Sequence, residues 1–194
     1  MEIGAEAPVS IIARRAGVGM GTLYRRYPAK EDLIRRVCVA SMEETTRAAL
    51  AALEDPDAWS GFAGFMQRCV ETGVGGLSHL AGTFNVDEEV LAISERAREA
   101  IQDVIDRAHT EGPLRPGLAA ADVSLLFQQL LLRDASEPEK VGALRRRYLA
   151  LILDGLCGDE PLPGPVASWE DGSKRWIERR PARGTTAPED DRTV

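Results

Sequence analysis

The 194-residue chain has few of the features that announce catalysis, export or membrane insertion. No apolar run approaches the roughly 20 residues needed to cross a bilayer, so no membrane partner is expected. Around Met1 there is no basic stretch followed by an apolar one, as a secretory signal has, and a cytoplasmic location is expected. Cysteine occurs three times, at Cys38, Cys69 and Cys157. That odd, widely spaced set excludes a disulfide framework and suits reduced thiols; without a CxxC pair nothing points to redox sensing. The two histidines, His79 and His109, lack the neighbours of a metal site, and no cofactor is expected. Nucleophile elbow, phosphate-binding loop and paired acid/base constellation are all missing, which argues against an enzyme. Aromatic residues are only 5% of the chain, and neither an alternating β-pattern nor an internal repeat is present.

What remains is ordinary globular composition, 44% hydrophobic and 28% charged, enough for one or two domains with a real core. The net charge of −7 argues against a general nucleic-acid coat. The average hides an asymmetry. Residues 1–37 hold seven basic side chains (Arg14, Arg15, Arg25, Arg26, Lys30, Arg35, Arg36) and four acidic ones, a net of +3, so the remainder carries −10. A basic end on an acidic body suits a protein that offers one face to phosphate.

The stretch Val9–Leu33, VSIIARRAGVGMGTLYRRYPAKEDL, organises the chain. It predicts two short helices around the turn Gly17-Val18-Gly19, then a stop at Pro28 and the start of a longer helix. Ile11, Ile12, Ala13 and Ala16 give the first helix an apolar side, and Leu23 and Tyr27, four apart, face back toward it. Arg14, Arg15, Arg25 and Arg26 point outward. This is the pattern of a helix-turn-helix, whose second helix enters a DNA major groove.

The run IARRAGVGMGTLYRRYPAKEDL resembles the DNA-binding signature of the tetracycline-repressor (TetR) family of bacterial transcription regulators. The resemblance rests on Ile12, Ala13, Ala16, Gly17, Val18, Gly21, Thr22, Leu23, Tyr24, Tyr27, Lys30 and Leu33. It implies a helix ahead of the motif, covering the apolar back of Ile12, Ala16 and Leu23. Only eight residues precede Val9, so the natural start is expected upstream and the head is expected to expose apolar area. The resemblance also implies that the long helix after Pro28 carries ligand-induced movement to the head. It implies Tyr24 and Lys30 as phosphate contacts, with Gly19 and Met20 near base edges.

Downstream, an apolar stripe at Ile34, Cys38, Met42, Thr45, Ala49 and Leu53 predicts one helix over Ala29–Leu53. Asp55-Pro56-Asp57 ends it, with Asp57 a candidate cap for a helix over Trp59–Gly73. Leu77–Phe84 reads as a short helix or irregular turn. Ile93, Ala97, Ile101, Val104 and Ala108 mark a helix over Asp87–His109. After the break at Gly112-Pro113 and Arg115-Pro116-Gly117, helices are expected over Ala119–Arg133 and from Ser136 to Leu156. Residues 159–194, with five prolines and many charges, read as a mostly disordered tail in which Ser173–Arg180 docks weakly through Trp176 and Ile177. The fold class is all-α: a helix-turn-helix domain over 1–37, N-terminally incomplete, a ligand-binding and dimerisation domain over 38–158, and the tail.

Three groups of site residues follow. Gly19, Met20, Thr22, Tyr24, Arg25, Arg26 and Lys30 form the DNA-binding set; Gly19 and Met20 are poor base readers, so Arg25 or Arg26, or DNA shape, is expected to carry specificity. Trp59, Phe62, Phe65, Met66, Cys69, His79, Phe84, Leu91 and Phe127 are candidates for an apolar ligand pocket, though such stripes also build plain core. The two final helices are apolar enough to pair with their copies in a four-helix dimer interface, through Phe127, Leu130, Leu131, Tyr148, Leu151 and Ile152; the resemblance implies the same. The alternative is that LLFQQLLL is the core helix of a monomer. The expected function is a ligand-responsive regulator, on family grounds a repressor, binding a palindromic operator as a homodimer and a small apolar ligand. The alternative is a dimeric ligand-binding or interaction protein whose degenerate head does not bind DNA.

Overall fold

Aspartate, glycine and proline place most of the helix ends. The computed structural model describes residues 7–73, 80, 83–130 and 137–168. Seven helices occur among them: α1 (Val9–Ala16), α2 (Met20–Arg26), α3 (Lys30–Leu53), α4 (Ala58–Thr72), α5 (Glu88–Glu111), α6 (Ala120–Gln129) and α7 (Pro138–Leu156). The Asp57 carboxylate accepts from the Ser60 N–H at 2.7 Å and starts α4; Asp87 does the same for Val90 at 3.0 Å and starts α5. Asp32 and Asp122 reach back to the Ala29 and Ala119 N–H groups at 3.0 and 2.9 Å. Gly73 closes α4 in the left-handed region at φ 74°. Pro138 opens α7 at a position where its missing N–H costs nothing.

The 24 residues of α3 span about 36 Å at 1.5 Å per residue, and this helix is the spine. It lies against α5 and α4, while α7 packs on α4 and α6 on α5. Gly61 allows α4 to approach the end of α3: a Cβ there would collide with the Ala52 carbonyl. Arg107 from α5 closes the same corner, donating to the Leu53 carbonyl at 2.9 Å and satisfying an end of α3 that lacks an internal partner.

Two apolar clusters form. The main one joins Ala49, Phe62, Phe65, Met66, Cys69, Ile101, Val104, Ile105, Val123, Phe127, Leu130, Leu149 and Leu156, from α3 to α7. A smaller one joins Ile34, Cys38 and Val39 on the first half of α3 to Leu80, Phe84, Val90 and Ile93. The end of α7 is stapled to the α5–α6 connection. Leu114 and Cys157 pair as an isolated bridge, Gly158 donates to the Pro113 carbonyl at 3.0 Å, and the Arg115 side chain donates to the Gly155 and Glu160 carbonyls at 2.9 and 3.1 Å.

The all-α class and the helix-turn-helix head are as the sequence predicts. The boundary expected between residues 37 and 38 falls inside the continuous helix α3. The helix expected over Ala119–Arg133 is shorter, with α6 ending at Gln129 and residues 131–136 outside the described set. Of the expected tail, residues 159–168 are described: Glu160 is held by Arg115, and the Ala167 N–H by Asp122 at 3.2 Å. Ser173–Arg180 lies outside the described residues.

Candidate nucleic-acid interface

The head begins with α1, whose last turn carries Arg14 and Arg15. Gly17 takes φ 66°, where a side chain would be strained, and this reversal lets the Val18 N–H donate to the Ala13 carbonyl at 3.0 Å. Gly19 then caps α2: its carbonyl accepts from Thr22 and Leu23 at 3.1 and 3.0 Å. Tyr27 leaves the helix ahead of Pro28, and α3 opens at Lys30. Ala7, Ala13 and Leu23 are buried; Val9, Ile11, Ile12 and Tyr27 are half-buried.

Leu23 fixes which way α2 faces. At 100° per residue, Gly21 and Arg25 lie opposite it, Met20 and Tyr24 share one flank, and Thr22 and Arg26 the other. All six are exposed, as are Val18 and Gly19, and Lys30 is half-buried. The seven residues expected to meet DNA thus lie on one connected surface of the turn, α2 and the start of α3. The Arg25 guanidinium donates to the Thr22 hydroxyl at 3.3 Å, along the helix rather than away from it. The back of the head differs from expectation in part. Leu23 is buried rather than uncovered, whereas Ala16, the last residue of α1, is exposed as expected.

Not all the basic residues of the head belong to this surface. Arg35, one turn into α3, bonds Asp87 at 2.8 Å and Glu89 at 2.5 Å, and Arg36 bonds Glu43 at 3.3 Å. The Arg35 guanidinium is held above its ordinary pKa by these two carboxylates. Asp87 lies below its ordinary value, first because it accepts the Val90 N–H and then because Arg35 stands beside it. Asp87 therefore caps α5 and ties it to the head end of α3. Arg35 contributes to the basic charge of residues 1–37, but its partners lie more than 50 positions away, and no local pattern marks them.

The pocket candidates separate. Trp59, Phe62, Phe65, Met66, Cys69 and Phe127 do come together, with Trp59 stacked on Phe62 at 5.6 Å and Phe65 edge-on to Phe127 at 6.2 Å. Phe84 instead sits in the smaller cluster. Leu91 is 58% exposed, because the inward stripe of α5 runs through Val90, Ile93 and Ala97 and places residue 91 on the outer side. His79 lies outside the described residues. His109 bonds the Arg115 carbonyl at 2.8 Å, so its Nε2 carries the donated proton. Burial pushes the Cys38 and Cys69 thiols up to about 12, which keeps both protonated and unreactive.

The dimer candidates also divide. Phe127 and Leu130 are buried in the chain's own main cluster, and Ile152 packs against it. Val123, Phe127 and Leu130 thus place the inner side of α6 and its C-cap in the core of this chain. Leu131 is outside the described residues. Tyr148 and Leu151, three apart on α7, are 43% and 62% exposed.

Residues 2–37 match the sequence model for bacterial regulatory proteins of the tetR family. The head is similar in sequence to that family. The likeness in fold extends further along the chain. A TetR transcriptional regulator from Streptomyces coelicolor superposes with a TM-score of 0.55 at 23% identity, covering 81% of this chain and 91% of that one. The TetR family regulator PfmR from Thermus thermophilus gives 0.52 at 20% identity over 78% and 91%. At such identities the likeness is one of fold. A comparison with curated proteins finds no match. The chain thus carries a head similar to that of the tetR family on a helical body of TetR-like fold. Among the described residues no helix is long and apolar enough to cross a membrane.

Proposed function

We propose that the chain is a ligand-responsive repressor that binds a palindromic operator as a homodimer, in the bacterial cytoplasm. The observation that carries this reading is the outward face of α2, with Thr22, Tyr24, Arg25 and Arg26 exposed beside Lys30. Hydroxyl and guanidinium groups around the exposed side of α2, with an ammonium group at the start of α3, match the phosphates flanking a major groove. Leu144, Tyr148, Leu151 and Gly155 run at four-three-four spacing along α7, and the last three are exposed. A self-complementary apolar strip of this kind suits a two-fold interface that sets two heads on two half-sites. The tie from Arg35 to Asp87 and Glu89 links the head end of α3 to the start of α5. An apolar ligand received among the aromatic residues of the body would act through that link, and only by its differential affinity for the two head spacings.

Selection of bound duplexes from a random pool by the full chain tests the reading. The expected product is a palindrome with half-sites about one helical turn apart, or a multiple. Absence of enrichment from a chain that still dimerises would leave a ligand-binding body with a degenerate head.

A further inference from the structure

We infer that the outer face of α5 is the seat of the chain's own basic C-terminal segment, Ser173–Arg183, with Trp176 and Ile177 against Leu91. This goes beyond the operator-binding reading and stands or falls without it.

α5 turns a long face away from the body. Its inward stripe, from Val90 to Ala108, is buried, while Glu88, Ala92, Glu95, Glu99, Asp103 and Asp106 are exposed. At 100° per residue these six lie within about 40° of Glu99 on either side, along most of the helix. All but Ala92 are carboxylates. Glu95 is paired with Arg98, and Asp106 accepts from the Gln102 amide at 2.8 Å. Glu88, Glu99 and Asp103 form no ion pair among the described residues. Arg96 is exposed at one edge of the face; Leu91, 58% exposed, is at the other, on the same flank as Gln102. Like charges one turn apart repel each other, so this face is short of cations and its leucine is short of cover.

The described chain ends beside that flank. The strap after α7 is held by its backbone: Arg115 donates to the Gly155 and Glu160 carbonyls, and Asp122 accepts from the Ala167 N–H at 3.2 Å. Asp122 is in the first turn of α6, where Gln102 of α5 accepts from the Ala120 N–H at 3.2 Å. The chain therefore leaves the body on the Leu91 flank, level with Gln102. From there Leu91 is about 16 Å away along α5. Trp176 follows Ala167 by nine positions, a reach of up to about 30 Å.

The segment that continues from this point is matched to the face in charge and in apolar content. SKRWIERRPAR, residues 173–183, holds Lys174, Arg175, Arg179, Arg180 and Arg183 against Glu178 alone, with Trp176 and Ile177 among them; it lies outside the described residues. Exposed ion pairs are individually weak, but attachment to the same chain gives the segment a high effective concentration at its seat. The seat also adjoins Asp87 and Glu89, which hold the head end of α3 through Arg35.

Acrylamide quenching of Trp176 in the full chain, without DNA, tests the inference. The signal is the difference between the chain and its Trp176→Phe variant, and a peptide of residues 169–194 is the reference. At low salt Trp176 is expected to be protected relative to the peptide, and protection should be lost in about 1 M salt, where screening acts within about 3 Å. Glu99→Lys with Asp103→Lys should abolish protection at low salt. Glu54→Lys with Glu139→Lys, the same charge change on exposed residues of other helices, should leave it intact. Leu91→Ser should lower it, with circular dichroism showing unchanged helix content. Trp176 as quenchable as in the peptide, protection that survives the α5 pair, or equal loss with the control pair would overturn the inference. Protection that arises only on adding a duplex of arbitrary sequence would also overturn it and make the segment a DNA contact. The operator reading is judged separately, by duplex selection.

Discussion

Two glycines show how the same residue type differs with its surroundings. Gly61 serves the fold, so Gly61→Ala should cost about 1–3 kcal/mol by overpacking α4 against α3. Gly21 has open space around it, so Gly21→Ala should raise stability by about 0.5–1 kcal/mol. Urea denaturation of the two variants measures both, and opposite signs are expected. Lys30 is proposed for a different kind of contact. Half-buried at the first position of α3, it can reach phosphate but carries no sequence information. Lys30→Ala should reduce the slope of log affinity against log salt by about 0.9, uniformly across sequences. An unchanged slope removes Lys30 from the interface. The thiols are legible in the same terms: Cys38 and Cys69 are core atoms, and burial leaves them without nucleophilic character.

Among the elements, α3 and α5 decide how the head is held. Their contact includes an apolar part, with Ile34 and Cys38 against Val90 and Ile93, and an ionic part at Arg35, Asp87 and Glu89. The ionic part is exposed and contributes more to register than to stability. Its pH dependence has a definite sign. The folded-state pKa of Asp87 lies below the ordinary value of 3.8, so its contribution is present above that value and is lost as pH falls through the folded one. Asp87→Asn should therefore flatten the acid arm of the stability curve, read by denaturant melts between about pH 6 and pH 2. It should also loosen the start of α5, detectable as faster amide exchange at Val90, whose N–H Asp87 accepts. A parallel acid arm in the variant would show that the tie contributes nothing. The helix periods were readable in advance because each stripe is local: Asp57 as a cap and the α5 stripe from Ile93 to Ala108 both fall where the spacing puts them. Leu91 was misplaced because one residue off the stripe is 100° round the helix.

For the whole molecule, the proposed homodimer requires an apolar surface that meets a second copy. Phe127 and Leu130 are excluded from it, since the main cluster already covers them. Tyr148 and Leu151 remain, on the side of α7 turned from α4. Leu151→Glu is expected to convert a dimer to a monomer in sedimentation while leaving helicity unchanged, because the side chain is 62% exposed within the chain. DNA binding should fall with it, since one head on one half-site forfeits the gain from two linked sites. A variant that stays dimeric would place the interface elsewhere.

The sequence by itself determined the helical class, the turn at Gly17 and Gly19, and the connected surface from Gly19 to Lys30. Those features depend on residues within a few positions of one another, where backbone preference and helical period act directly. Only the tertiary structure decided that Arg35 belongs to Asp87 and Glu89 rather than to phosphate, that Phe84 and Phe127 lie in different clusters, and that the inner side of α6 lies in the chain's own core. Those outcomes depend on which helices meet. An apolar face read along one helix says that it must be buried, but not against what.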